Sequence, residues 1–246
     1  MISFRGVSKA FGAKQILKDV SFDVAPSQVF FIIGASGVGK SVLIKHLIGL
    51  IRPDAGEIWL DHEEVSQLSE RDFYRVRRKC AMVFQHATLF DSMNCLENVA
   101  LPLIKHDGLR ATEAFDQARD LLRAVHMQEF AERFPSELGD GLRKRVAIAR
   151  ALAVRPRYVL FDEPTTGLDP VSARRVDRLI RELCDERGVT SVVVSHDLTS
   201  IFEIADRIVM LYKGQVRMLG SPEEFRRSDD AIVRQFVSGS AQGPME

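Results

Sequence analysis

Apolar residues fall along this chain in two rhythms. Short unbroken or alternating runs have the period of strands: "ISF" and "VSFDVA" near the start, with "GAKQIL" between them, then "VFFII" (29–33), "GEIWLD" after a turn at 53–56, "CAMVF" (80–84), "YVLFD" (158–162) and "TSVVVS" (190–195). Between them, apolar positions recur every three or four residues, the spacing of helices, in "SVLIKHLIGL", around 95–105, 111–125 and 142–153, over 170–187 and in "IFEIAD". "RIVMLYKGQVRMLG" predicts a hairpin turning at Lys213-Gly214. Two short helices, "SPEEFRR" and "DDAIVRQFV", follow, and the polar "SGSAQGPME" is expected to be a mobile end. Strands alternating with helices predict an α/β fold, a largely parallel sheet covered by helices. The strand-poor stretch at 95–153 reads as an inserted helical subdomain.

Composition narrows this little. A chain of 246 residues suits one large domain, or one domain carrying a subdomain. The 34 Lys and Arg balance 34 Asp and Glu, so no global basic field marks a dedicated nucleic-acid binder. No stretch approaches the ~18 apolar residues of a spanning helix, and "MISFRGVSKAFG" lacks the apolar core of a signal peptide. Cys80, Cys95 and Cys184 are scattered and odd in number, as expected for free thiols in a reducing cytoplasm.

The chemistry sits at strand ends. "GASGVGKS", Gly34 to Ser41, fits the phosphate-binding loop, with a strand before it and a helix after it. Glycines there let backbone N–H groups turn inward around phosphate oxygens, Lys40 reaches the β- and γ-phosphates, and Ser41 offers a hydroxyl to Mg²⁺. Gly34, Ala35, Ser36, Gly37, Val38, Gly39, Lys40, Ser41 and Val42 are therefore the candidate nucleotide-binding residues. In "YVLFDEP" a strand delivers two consecutive acids. Neighbouring strand residues point to opposite sides, so Asp162 can hold Mg²⁺ through its water shell while Glu163 polarises an attacking water. Gln85 follows one strand and His196 another, beside the Asp162 strand, where His196 can contact a γ-phosphate. "Ser195-His196-Asp197" is not a hydrolase triad, because consecutive residues cannot adopt that geometry.

The order of these pieces, ending with the glycine-rich helix start "ELGDGLRKRVAIARA" (137–151), "TTGLDP" and His196, resembles the ATPase subunits of ABC transporters over about residues 2–225. That resemblance implies a P-loop NTPase with a RecA-like mixed sheet, an N-terminal antiparallel β region and a helical subdomain at about 90–155. A C-terminal extension follows at 226–246. It implies that Phe11 stacks on adenine, that Gln85 senses Mg²⁺ and the membrane partner, that 166–169 contacts a second subunit, and that His196 is the switch histidine. It further implies a head-to-tail homodimer with two sandwiched ATP molecules, each facing Gly139 and Gly141 of the opposite subunit, on the cytoplasmic face of the inner membrane beside an integral permease. "FQHATLFDSMNCLENVALPL" (84–103) and "AIVRQFVSGSAQGP" (231–244) are similar to the Mce/Mla group of ATPases, which move phospholipids in the bacterial envelope. The likeness adds a Mce-type lipid-carrying protein and a small regulatory subunit as partners, and an extension that packs on the opposite subunit.

One departure stands out. The family's signature usually reads Leu-Ser-Gly-Gly-Gln; here Gly139 replaces Ser, Asp140 the first Gly and Leu142 the Gln. A carboxylate there repels a polyphosphate wherever water is scarce. Three readings follow: Asp140 turns away to pair with Arg143 or Lys144, or the site hydrolyses slowly with ATP as dimer glue, or a related chain supplies an intact signature. The basic run "RDFYRVRRK" (71–79) reads as a solvated helix face.

Overall fold

The computed structural model describes residues 1–245; Glu246 lies outside the described residues. The elements run β1 (Ile2–Phe11), β2 (Lys14–Val24), β3 (Val29–Ile33), α1 (Lys40–Leu47), β4 (Ala55–Leu60), β5 (Glu63–Glu64), α2 (Glu70–Lys79) and β6 (Cys80–Val83). Three helices follow, α3 (Cys95–Asp107), α4 (Ala111–Ala124) and α5 (Asp140–Leu152), and then β7 (Tyr158–Asp162), α6 (Pro170–Arg187), β8 (Thr190–Val194) and α7 (Leu198–Ile204). β9 (Arg207–Tyr212), β10 (Gln215–Gly220), α8 (Pro222–Arg226) and α9 (Ala231–Ser238) end the chain.

The main sheet has the order β10-β9-β3-β8-β7-β6, with β10 alone antiparallel to its neighbour. β3 is apolar at every position because both faces are covered, and β7 and β8 are buried throughout although they carry Asp162, Thr190 and Ser191. Val29, Phe31 and Ile33 of β3 point into one core, shared with α3 to α7. Phe30 and Ile32 point into another, shared with α1, α2 and the second sheet. That second sheet is antiparallel, in the order β2-β1-β4-β5. The mixed main sheet, the antiparallel N-terminal region and the helical block agree with the expected fold class.

Two expectations need correcting. The stretch "KQIL" belongs to β2, so the connection from β1 shrinks to Gly12-Ala13. Register shifts along β1 break the alternation that would have revealed it. The end of the chain is tied down as far as Met245. The Met245 amide donates to Gln235 Oε1 at 2.7 Å and the Tyr212 hydroxyl to the Pro244 carbonyl at 3.4 Å. All three cysteines are free and buried, and burial pushes the Cys80 thiol up to about 12.

Candidate functional site

In a parallel sheet the crevice outside the carboxyl ends of the strands is where ligands sit. Here β3 runs out into Gly34, β6 into Gln85, β7 into Glu163 and β8 into His196, and these four residues border one cavity of about 620 Å³. Phe11, at the end of β1 and half exposed, stands on its rim with the Lys9 ammonium 5.5 Å above its ring.

The 34–41 loop forms one wall. Gly34 has φ +141°, and a Cβ there would meet the Leu211 carbonyl oxygen at 2.3 Å. Gly39 has φ +108°, and its Cβ would strike Leu17 at 2.5 Å. Only glycine fits either place. Gly39 caps α1 without any side-chain hydrogen bond, and the first turn of α1 carries no acid. Its amides and the helix dipole are therefore available to an anion. The Lys40 ammonium is buried and donates to the Gly34 carbonyl at 2.9 Å and the Ala35 carbonyl at 3.1 Å. Burial lowers its pKa, against the opposing pull of the Glu163 and Asp162 carboxylates. Ala35, Ser36, Gly37, Ser41 and Val42 also line the cavity, whereas Val38 packs against the second core.

The two acids diverge, but not by strand alternation: β7 ends at Asp162, and Glu163 leaves the strand in a left-handed turn. Asp162, buried, accepts from the Ser41 hydroxyl at 2.6 Å. Glu163 turns out of β7 with φ +52°, a left-handed conformation that costs a non-glycine residue of order 1–3 kcal/mol. Its amide donates to the Val194 carbonyl at 2.9 Å, and its Oε2 accepts from the Thr166 hydroxyl at 3.1 Å. His196 Nδ1 lies 2.8 Å from the same Oε2. The strained turn thus brings the carboxylate to the cavity beside the His196 imidazole, which borders it too.

Gln85 is tied from behind. The buried Lys144 ammonium, on α5, donates to the Phe84 carbonyl at 3.0 Å and the Gln85 carbonyl at 2.5 Å. Burial pushes this lysine down to about 8. Gly139 and Gly141, at the start of α5, do not border the 620 Å³ cavity of their own chain. Gly139 caps the helix, and a Cβ added to it meets nothing within 4 Å. Gly141 packs on Ser172, where a Cβ would come within 2.9 Å. The exposed Asp140 forms an ion pair with Arg143, the first of its three anticipated arrangements, while Lys144 is taken up by the Gln85 segment. The basic face of α2 is paired internally: Arg75 with Glu63, Arg77 with Glu70, and Arg78 with Asp107.

Three contributors are missing from the sequence reading. Thr166 positions Glu163, Lys144 holds Gln85, and Phe236 of α9 borders the cavity. The first two meet their partners across a turn or a gap of 59 residues, and Phe236 lies in a plain amphipathic helix, so no local pattern marks them.

A family model described as ABC transporter matches residues 17–166. Among curated proteins, the chain is 38% identical over 245 residues to the intermembrane phospholipid transport system ATP-binding protein MlaF of Escherichia coli K12, covering 100% of this chain and 91% of that one. It is 36% identical over 244 residues to the probable ribonucleotide transport ATP-binding protein mkl of Mycobacterium leprae, covering 99% of this chain and 70% of the relative. Among solved structures, a dimeric ATP-binding cassette in a post-hydrolysis state, bound to ADP and Pi, superposes with a TM-score of 0.82 at 32% identity, over 90% of this chain and 99% of that one.

Proposed function

The chain belongs to the ABC transporter family of ATP-binding subunits, and from that premise we propose that it powers phospholipid movement in a bacterial envelope from the cytoplasmic face of the inner membrane. It is an ATPase whose hydrolysis is coupled to transport. The observation that carries the site reading is the meeting of the 34–41 loop, Glu163 and His196 around one cavity, with the two side chains 2.8 Å apart.

In this reading, Phe11 stacks on adenine, the amides of Gly34, Ala35, Ser36, Gly37, Val38 and Gly39 wrap the phosphates, and Val42 lines the first turn of α1. Lys40 exchanges its loop carbonyls for phosphate oxygens. Glu163 orients and polarises the attacking water, and His196 meets the γ-phosphate and holds Glu163 in place. Charge developing on the transferring phosphoryl is met by preorganised donors, the largest kind of contribution to such catalysis. Ser41, Gln85 and Asp162 offer hard oxygen donors, and the 2.6 Å contact between Ser41 and Asp162 brings two of them to one point. They would hold Mg²⁺, which supplies charge neutralisation to the phosphates when bound.

Two subunits pair head to tail, and Gly139 and Gly141 of each face the other's ATP. Pairing of Asp140 with Arg143 leaves the backbone at Gly139 and Gly141 to meet phosphate. Residues 1–225, with a helical subdomain at about 90–155, form the ATPase domain, and 226–246 an extension that reaches the opposite subunit. Among the described residues no helix is long and apolar enough to cross a membrane. As in other transport ATP-binding subunits, the partner is an integral permease, seated on the segment 86–103 beside Gln85. There an adjoining cavity of about 420 Å³ includes Met82, Phe90, Pro102 and Arg150. A Mce-type lipid carrier and a small regulatory subunit complete the complex. MlaF, matched over nearly its whole length, favours phospholipid as cargo over the ribonucleotide in the name of the mycobacterial relative.

Glu163→Gln in the native membrane complex tests this. The variant with ATP is expected to show two chains and two nucleotides by native mass spectrometry, and to lose phosphate release. One nucleotide on a single chain refutes the sandwich. Wild-type complex that hydrolyses ATP yet moves no labelled phospholipid between vesicle and carrier refutes the cargo.

A further inference from the structure

Two helices leave the catalytic strands. α6 begins at the end of the loop that follows Glu163, capped by Asp169, whose carboxylate accepts from the amides of Val171 and Ser172. α7 begins two residues after His196, capped by Asp197, whose carboxylate accepts from the Thr199 amide. His196 itself is 64% exposed. Packing around its own ring does little to orient it, so the imidazole depends on the backbone on either side.

Both sides are anchored. Ser195 is buried, and its hydroxyl accepts from the Asp197 amide at 3.0 Å. Asp197 is gripped by the Arg174 guanidinium, which reaches across from α6 to its Oδ2 at 2.8 Å. The same fork donates to the Ser200 hydroxyl at 3.1 Å and to Glu203 at 3.1 Å, and pairs with Asp177 at 2.9 Å. The buried Ser200 hydroxyl lies 2.9 Å from both the Asp177 and the Asp197 carboxylates and has one proton to donate between them.

Packing alone does not call for this. Asp177 is 1% exposed, on the inner face of a helix where its neighbours Ala173, Val176 and Ile180 are apolar. Burial pushes its carboxyl up to about 6 despite the arginine beside it. Apolar residues at such a contact are commonly as stabilising as a buried ion pair or more so. What the polar network adds is direction: a planar fork donates along fixed N–H directions, so its acceptors on α6 and α7 are held in a set arrangement.

We propose that Arg174 is a positioning residue for hydrolysis, clamping the start of α7 to α6 so that His196 stays aligned with Glu163. The clamp spans the elements that issue from the two catalytic strands, and it fixes the residue next to His196 although Arg174 does not border the cavity. A misalignment of about 1 Å at such a centre lowers turnover on the order of ten- to a hundredfold. The inference rests on the roles given above to Glu163 and His196.

The experiment compares full-length wild type, Arg174→Ala, Arg174→Lys, Ser200→Ala and Arg181→Ala for kcat, KM, affinity for a fluorescent ATP analogue, and Tm. Arg181 is the control: it lies on the same helix, is 27% exposed like Arg174, and pairs with Asp185 and Asp206 away from His196. The clamp predicts kcat about tenfold lower for Arg174→Ala, with KM and analogue affinity within about twofold. Arg174→Lys recovers part of that loss, Ser200→Ala loses about threefold, and Arg181→Ala keeps kcat whatever its Tm. Unchanged kcat in Arg174→Ala overturns the proposal, as does an equal loss in Arg181→Ala or a parallel loss of nucleotide affinity. If Arg174→Ala does not fold, Arg174→Lys and Ser200→Ala decide on the same criteria. Glu163→Gln, run alongside, separates the two levels. Its loss of turnover with an intact Arg174→Ala sinks the clamp alone, whereas its retention of turnover sinks the site reading beneath it.

Discussion

Replacing Lys144 by Met removes the ammonium that holds the Gln85 segment while nearly keeping the side chain's volume. In the wild type this charge is 3% exposed and donates to two carbonyls. Its fall from the usual 10.5 to about 8 means that burying the charge costs about 3 kcal/mol near neutral pH. Methionine relieves that cost but leaves two buried carbonyls unpaired, at roughly 1–3 kcal/mol each. At the middle of that range the net loss at pH 7 is on the order of 1 kcal/mol, a Tm shift of a few degrees for a domain of this size. The pH dependence is the sharper signature. Between about 8 and 10.5 the unfolded lysine binds a proton that the folded one has released, so wild-type stability rises with pH through that window. Urea unfolding of both proteins at pH 7 and pH 10 should show the wild-type advantage growing by about 2–3 kcal/mol at the higher pH. Taking the difference between the two proteins cancels other groups that titrate there. Phosphate-release assays should show kcat down about tenfold, because Gln85 loses its tether to α5. A stability difference identical at the two pH values would refute the buried ammonium, and unchanged kcat would refute the tether.

Three further outcomes follow from particular contacts. Gly139→Ser with Asp140→Gly should raise ATPase activity about two- to threefold, since a Cβ at 139 meets nothing and the exposed Asp140 pairs only with Arg143; a large fall in phosphate release would contradict this. Gly34→Ala should weaken binding of a fluorescent ATP analogue by more than about tenfold and lower Tm, because its Cβ must displace the Leu211 carbonyl from 2.3 Å at φ +141°; wild-type affinity would show that the loop gives way. Asp91→Lys should reduce co-purification with the permease without altering Tm. Asp91 is the cleaner probe of that groove than Glu97, whose carboxylate accepts from the Asn94 amide at 2.8 Å in the capping box of α3.

The parts of the fold that could be read from sequence are those where local chemistry and tertiary demand agree. α6 starts and stops at Pro170 and Arg187, as expected, because Asp169 caps it, Pro170 fits its first turn and Gly188 closes it in a left-handed conformation. β7 likewise spans 158–162, because its run from Tyr158 to Phe161 is apolar on both covered faces and Asp162 closes the strand at its carboxyl end. The 34–41 loop was legible because its glycines answer to backbone geometry within eight residues. β5, with only Glu63 and Glu64, has no periodicity to read. Lys144, Arg174 and Phe236 escape for another reason: each acts across a span of chain that only folding closes. A lysine in a basic run and an arginine on a charged helix look alike until their acceptors are known.

Strands β6 and β7 lie side by side in the sheet, yet 74 residues, 84–157, intervene between their ends. Everything from Gln85 to the end of α5 is therefore one oversized crossover. That crossover adds no strand to either sheet, so its helices are held to the platform by side-chain packing and by the Lys144 bonds to the Phe84 and Gln85 carbonyls instead of by strand pairing.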